Sequence, residues 1–308
     1  MQAIGYDGRV PAGQLQRDCS VFRTVAAVGD AWSWLILRDA LFDRATRFGE
    51  FRKRLGIARS TLTARLDQLV ASQVLHRDGL DYLPTELGND FLGPLLTAMH
   101  WGDQWCDENT QPVTVVHTTC GATIHAVMAC DHCSQPVVPR QVTFDRLPQA
   151  AQRPQGQVAR TRKPGLDLLE RQQPCSIART LQVIGEQWSS LIIQECFFGT
   201  HRFDDFQNRL AIASNILSQR LARLTERGVL TARSTDSERG YYLTDKGLDL
   251  YPVALAMLMW GDRWLSGGKP PIALTHTACG RRLRATAVCS HCGEQLLVGE
   301  LQFRAAAA

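Results

Sequence analysis

Two stretches carry the residues best suited to chemistry. Residues 117–133 read HTTCGATIHAVMACDHC and residues 276–292 read HTACGRRLRATAVCSHC, each an H-x2-C-x9-C-x2-C pattern. Two ligands spaced by two residues form a knuckle that holds two corners of a tetrahedron. A nine-residue hairpin is expected to return the chain with the other two. Zinc favours closed Cys3His sets. The reading is therefore a structural zinc ribbon in each motif, two ions per chain. His117, Cys120, Cys130 and Cys133 would hold one ion, and His276, Cys279, Cys289 and Cys292 the other. Gly121 and Gly280 follow the first knuckles, where the chain must turn. The nine-residue gap is shorter than usual ribbon spacing, so redox-active disulfides and plain core cysteines stay open as alternatives. Four protein ligands leave no free position, which argues against catalytic zinc. His125, His132 and His291 read as spare surface residues.

The chain that must position these motifs has 308 residues, a net charge of +4 and ten cysteines. That length suggests two domains of about 100–200 residues each. The N-terminus has no apolar run of the signal-peptide kind, and no stretch approaches the roughly 18 apolar residues of a membrane span. A cytoplasmic location is expected, where cysteines read as metal ligands or redox thiols before structural disulfides. The mild positive charge permits a nucleic-acid partner without arguing for one.

The cysteine motifs are the last part of a larger repeat. Residues 18–37 match 174–193, residues 46–75 match 201–230, and residues 95–105 match 254–264. The chain is a tandem duplication. The expected divisions are a first copy at 14–108, a ribbon at 109–144, a linker at 145–172, a second copy at 173–267 and a second ribbon at 268–305. The linker reading rests on Pro148, Pro154 and Pro164 and on little periodic apolar content.

Within the second copy, Ile177, Leu181, Ile184, Trp188, Leu191 and Ile192 recur at helical steps. Gly185 is expected to divide them into two helices. A short helix over 202–210 and a longer one carrying Leu217, Leu221 and Leu224 on one face follow. Residues 229–243 then read as a β-hairpin, and a long helix closes the copy. This order spells a winged helix-turn-helix. The expected fold class is α+β, mainly α, with two such domains and two small β ribbons in one chain. The polar face of the longer helix, with Ser214, Asn215, Ser218, Gln219 and Arg220, suits a major-groove reader. Copy 1 offers Arg59, Ser60, Thr61, Thr63, Ala64 and Arg65 there. Wing arginines Arg77, Arg233 and Arg239 complete the expected DNA contacts. Arg44, Arg47, Arg52, Lys53 and Arg54 stand against a single Glu50 ahead of the first reader, a density suited to phosphates. The first wing is shorter, so the two halves are expected to grip unequally.

The ordered set of short motifs resembles the HxlR family of bacterial transcriptional regulators. It comprises Cys19 and Cys175, G-x-x-W at Gly29–Trp32 and Gly185–Trp188, and RF-x-x-F at Arg47–Phe51 and Arg202–Phe206. L-x-x-RL-x-x-L at Leu62–Leu69 and Leu217–Leu224, YYLTDKG at 241–247 and the late Pro-to-Trp-Gly segments complete it. The resemblance implies dimers that pack first and last helices together, here fused into one pseudo-dimer reading two half-sites. It also implies that Cys19 and Cys175 are candidate redox thiols, weighed against buried small hydrophobes. Ala58 and Ala213 stand where the family commonly has a capping Ser.

Trp32, Trp101, Trp105, Trp188, Trp260 and Trp264 form an aromatic set expected either to line a small-molecule pocket or to pack as core. The combined reading is a DNA-binding transcriptional regulator, a repressor, whose partners are double-stranded DNA and a small effector, as a monomeric pseudo-dimer or a further homodimer. The alternative is a zinc-stabilised small-molecule-binding or sequestering protein with degenerate winged helices. No Ser-His-Asp set, phosphate-cradling loop or catalytic carboxylate pair stands out, so an enzyme is not expected.

Overall fold

The structure, a computed structural model, describes residues 19–105, 111–146, 175–234 and 239–305. Copy 1 opens with α1 (Ser20–Val28) and α2 (Ala31–Phe42). Gly29 separates them at φ 94, a conformation open to glycine, and Asp30 caps α2 by accepting from the Trp32 N–H. α3 (Phe48–Leu55) buries Phe51 and Leu55 and ends at left-handed Gly56. α4 (Arg59–Ala71) buries Leu62, Leu66 and Leu69 at i, i+4, i+7, while its N-cap Ala58 makes no side-chain cap bond. The wing β1 (Leu75–Asp78) and β2 (Asp81–Pro84) pair antiparallel. α5 (Glu86–Asp90) and α6 (Leu92–Trp105) close the copy.

Copy 2 repeats the order with α7 (Ser176–Ile184), α8 (Gln187–Phe197), α9 (Phe203–Leu210), α10 (Ser214–Glu226), the wing β7 (Leu230–Ser234) and β8 (Arg239–Leu243), α11 (Asp245–Leu248) and α12 (Tyr251–Leu265). Gly185 does divide the first two helices. Residues 14–18, 106–110, 147–172 and 235–238 lie outside the described residues, and with them Cys106, most of the expected linker and the second wing's tip. The strand β6 (Val142–Arg146) runs past the expected ribbon end at 144.

The two copies are interlocked by their first and last helices. α1 lies on α12 and α7 lies on α6. The approach is close because the Trp-Gly pair places glycine at the crossing. A Cβ on Gly261 would come within 3.0 Å of the Ser20 carbonyl and Thr24 Oγ1, and one on Gly102 would do the same to Ser176 and Thr180. Thr24 Oγ1 donates to Met257 O at 2.8 Å, and Thr180 Oγ1 donates to Ala98 O at 2.6 Å. Ser20 donates to Asp262 and Ser176 to Asp103. Trp101 Nε1 reaches Lys246 O and Trp260 Nε1 reaches Leu87 O, each at 3.0 Å. Each of these bonds joins one copy to the other.

The ribbon region corrects the expectation of two self-contained units. β3 (Val113–His117) pairs with β4 (Thr123–Ile124) of its own copy, but also with β12 (Leu301–Ala305) of the other. β9 (Ile272–His276) pairs with its own β10 (Arg281–Arg282) and with β6. β5 (Ala126–Cys130) pairs with β11 (Ala285–Cys289) across the copies, with Met128 opposite Ala287. The physical reason lies in the nine-residue gap. Residues 123–130 hold two strands with only His125 between them. Extended chain advances about 3.3 Å per residue, so the gap carries Cys130 away from Cys120 instead of folding back to it.

Candidate nucleic-acid interface and Cys-His clusters

The second helix of each helix-turn-helix presents a polar N-terminal face. On α4, Arg59, Ser60, Thr63 and Ala64 are exposed and Thr61 is half-buried. On α10, Ser214, Asn215, Ser218 and Gln219 are exposed. The buried leucines of both helices set this orientation, since the reading face lies opposite the packed one.

Arg65 and Arg220 do not belong to that face. Arg65 is buried and forms two bonds to Asp30, Nε to Oδ1 at 2.9 Å and Nη2 to Oδ2 at 2.8 Å. Arg220 Nε sits 2.7 Å from Glu186 Oε1. The arginine of the L-x-x-RL-x-x-L motif thus ties the reading helix to the start of α2 or α8. Its charge is engaged within the fold, and the expected DNA role is corrected for both. The wing arginines are placed differently. Arg77 lies over the Tyr82 ring at 5.7 Å and Arg233 over Tyr242 at 4.6 Å, each exposed, and Arg239 is exposed beside them. Stacking on a wing tyrosine orients a guanidinium.

The basic run before α4 is partly spent within the protein. Arg47 pairs with Asp81, and Arg54 pairs with Asp39 and Asp43. Arg44, left-handed at φ 56, donates to Val298 O at 3.2 Å. Arg52 and Lys53 are exposed and carry no ion pair among the described residues. The matching helix of copy 2 has Asp204 and Asp205 in its first turn. Copy 1 therefore offers the stronger cationic surface.

All eight His and Cys residues of the two motifs fall into two clusters, but with partners exchanged. His117, Cys120, Cys289 and Cys292 form one, and Cys130, Cys133, His276 and Cys279 the other, with the ligand atoms of each within 4.8 Å of one another. Within the first, His117 Nδ1 lies 3.5 Å from Cys120 Sγ and 3.4 Å from Cys292 Sγ, and Cys120 Sγ lies 3.9 Å from Cys289 Sγ. Within the second, His276 Nδ1 lies 3.4 Å from Cys133 Sγ and 3.6 Å from Cys279 Sγ. A tetrahedral ion with metal–sulfur bonds of about 2.3 Å and metal–nitrogen bonds of about 2.0 Å has edges of roughly 3.8 Å and 3.5 Å. The donors fit that figure. Backbone N–H groups of His291 and Cys292 point at Cys289 Sγ from 3.4 and 3.5 Å. Burial opposes ionisation of this thiol, but those donors, with the Cys292 and Cys120 thiols, bring it down to about 7. The clusters can hold a metal ion each. His132 and His291 are exposed, and His125 stacks on His100 at 4.2 Å.

The two N-terminal cysteines meet unlike neighbours. Cys19 is buried, donates to Gln194 Oε1 at 2.8 Å, and is pushed up to about 11 by burial. Cys175 is half-buried and accepts from Arg38 Nη1 at 2.8 Å. Cys196 is buried. Of the tryptophans, Trp260 and Trp264 line a cleft of about 630 Å³ together with Arg44, Asp90, Met128 and Leu297. Trp32, Trp101, Trp105 and Trp188 are not among its lining residues. Trp105 Nε1 bonds to Asp249 as Trp264 Nε1 bonds to Asp90, so both serve the contact between copies.

Among the described residues, no helix is long and apolar enough to cross a membrane. The HxlR-like helix-turn-helix family model matches twice, at residues 27–110 and 183–269. The chain is 39% identical over 134 residues to the uncharacterized HTH-type transcriptional regulator Rv3095 of Mycobacterium tuberculosis, spanning 42% of this chain and 85% of that one. It is 29% identical over 110 residues to the uncharacterized HTH-type transcriptional regulator YdeP of Bacillus subtilis, spanning 34% of this chain and 86% of the relative. Among solved structures it is similar to PA1607, described as a candidate transcription factor, at 34% identity and a TM-score of 0.39, over 42% of this chain and 94% of that one. The two matched segments together span more than half of the chain and lead to one conclusion: the chain belongs to the HxlR-like helix-turn-helix family of transcriptional regulators, with a DNA-binding unit in each copy.

Proposed function

We propose that the protein is a repressor that covers a two-half-site operator with α4 and α10, one from each copy, and carries two structural zinc ions. The observation that carries the reading is the pair of exposed polar helix faces offered by one interlocked chain. Asn215 and Gln219 have the chemistry to pair with adenine edges and Arg59 with guanine. Arg52 and Lys53 supply phosphate contacts to copy 1 only, which makes the half-sites unequal. Half-site centres one DNA turn apart, about 34 Å, are expected for such a reader. A grip of that length represses by occluding the DNA it covers. The Cys3His donor sets support zinc, which would supply no chemistry beyond cross-linking, because all four positions are protein ligands.

Two inputs fit this frame. A small effector entering the cleft beside Trp260 and Trp264 would act on the contact between copies, since the Asp90–Arg263 and Asp90–Trp264 bonds cross it. Oxidation would act at Cys175, beside Arg38, and not at Cys19. The test of the main reading is a footprint of zinc-loaded protein on the DNA upstream of its own gene across a salt series. Protection of two unequal half-sites one turn apart, weakening steeply with salt, is expected. Absence of protection at low salt would overturn the DNA-reading proposal in favour of a ligand-binding role.

A further inference from the structure

Each Cys-His cluster is built from one knuckle of each copy. The first takes His117 and Cys120 from the end of β3 and Cys289 and Cys292 from the end of β11. The second takes Cys130 and Cys133 from the end of β5 and His276 and Cys279 from the end of β9. One copy alone owns two half-clusters of two donors each. A closed tetrahedral site needs four, so a complete site exists only when the copies are docked.

What the clusters anchor is equally specific. His117 is paired in register with Leu301 at the start of β12, and its Nε2 lies 3.7 Å from Glu300 Oε2. From that root β12 runs along copy 1, where Phe303 stacks on Phe42 with ring centroids 3.8 Å apart. Just ahead of it, Val298 O accepts from Arg44. Phe42 ends α2 and Arg44 lies in the connection from α2 to α3, the entry to the first helix-turn-helix. The second cluster repeats the plan. His276 is paired with Val142 at the start of β6, and Phe144 of that strand packs on Phe198, at the exit of α8 ahead of α9. In both halves a strand exchanged from the other copy is fixed at its root by a cluster and rests on the entry to a DNA-reading unit.

We propose that the two metal ions act as cross-copy braces that set the positions of the two reading helices, so that two-half-site DNA binding depends on metal. This rests on the zinc reading above. Helix packing between α1 and α12 and between α6 and α7 keeps the copies together without metal. Metal instead fixes the exchanged strands against the α2–α3 and α8–α9 connections. Loss of either brace releases one reading unit from its set position. Linked binding then falls toward that of a single half-site, a loss of about 10²-fold in favourable cases.

The test uses the full-length chain and two four-fold variants with elemental analysis. H117A/C120S/C289S/C292S removes the whole first cluster, and H117A/C120S/C130S/C133S removes every ligand of copy 1. Crossed ligation leaves one zinc ion in the first variant and none in the second. Ligation within copies would give the reverse and overturn the crossing while leaving zinc intact. Wild-type protein without metal would overturn the zinc reading itself, and this proposal with it. A second measurement serves if a variant does not fold: metal-stripped wild-type chain is mildly oxidised, digested and mapped. Links from Cys120 to Cys289 or Cys292 are expected, and links of Cys120 to Cys130 or Cys133 alone would refute the crossing. Finally, chelator-stripped protein with unchanged helical circular dichroism should footprint at least tenfold more weakly than the reloaded protein. An unchanged footprint would remove the bracing role.

Discussion

Substituting Gly261→Ala tests the interlock between copies with a change of one methyl group. Gly261 lies on α12 where α1 crosses, and an added Cβ would fall within 3.0 Å of Ser20 O and Thr24 Oγ1. The obstacle is backbone, which cannot rotate aside. Overpacking of this kind costs about 1–3 kcal/mol. Shifting α1 also stretches the Thr24–Met257 bond of 2.8 Å, worth about 1 kcal/mol. Against this, alanine in a helix gains at most about 1 kcal/mol over glycine. The net expectation is a loss of roughly 1–3 kcal/mol in urea denaturation. Gly49→Ala in α3 is the internal control, because its Cβ meets nothing within 4 Å. There only propensity acts, and a gain of about 0.5–1 kcal/mol is expected. Opposite signs at two helical glycines are the signature of the crossing. If Gly261→Ala proves as stable as Gly49→Ala, the close approach of α1 to α12 is refuted.

The remaining predictions concern charge and thiols. Burial pushes Asp262 up to about 6 against the bond from Ser20, and Asp103 likewise against the bond from Ser176. The folded chain thus favours the protonated acids, a contribution present in full below the usual carboxylate range of about 4 and lost as pH rises through 6. Asp262→Asn should therefore gain stability relative to wild type as pH rises from about 4 through about 6, and a pH-independent difference in urea midpoints would refute this. Arg52→Ala should flatten the salt dependence of DNA affinity by about 0.9 in log–log slope. Arg65→Met should leave that slope unchanged while destabilising the fold by about 3 kcal/mol or more, because Asp30 loses its buried partner. Iodoacetamide should label Cys175 well before Cys19 in peptide mapping, and equal rates would refute the asymmetry.

Much of the architecture was legible along the chain because its signals are local. Leu62, Leu66 and Leu69, with their counterparts Leu217, Leu221 and Leu224, declare one packed face by spacing alone, and a packed face implies an exposed one opposite. Gly29 and Gly185 mark breaks between helices because a turn is a local backbone event. The tandem copies are visible as repetition, and the family is legible as a resemblance because its ordered short motifs recur in both copies. The eight metal-ligating candidates were likewise readable, because donor type and two-residue knuckle spacing are properties of sequence.

Partnership between distant residues was not readable, and tertiary structure decided it. Sequence order suggests that Cys120 closes with Cys130 in its own motif, yet the chain between them passes through β4 and on into β5, which delivers Cys130 to His276. Arg65 and Arg220 occupy positions suited to reading DNA by numbering, but one residue of helical rotation turns them inward to Asp30 and Glu186. Cys19 and Cys175 are equivalent in the repeat and differ because each meets the other copy's α2 or α8, where one copy has Arg38 and the other Gln194. In each case a side chain's role depends on which partner the fold brings within about 4 Å, and short-range forces act only over that distance. Spacing along the chain determines what a residue can do, and packing between the copies determines what it does it with.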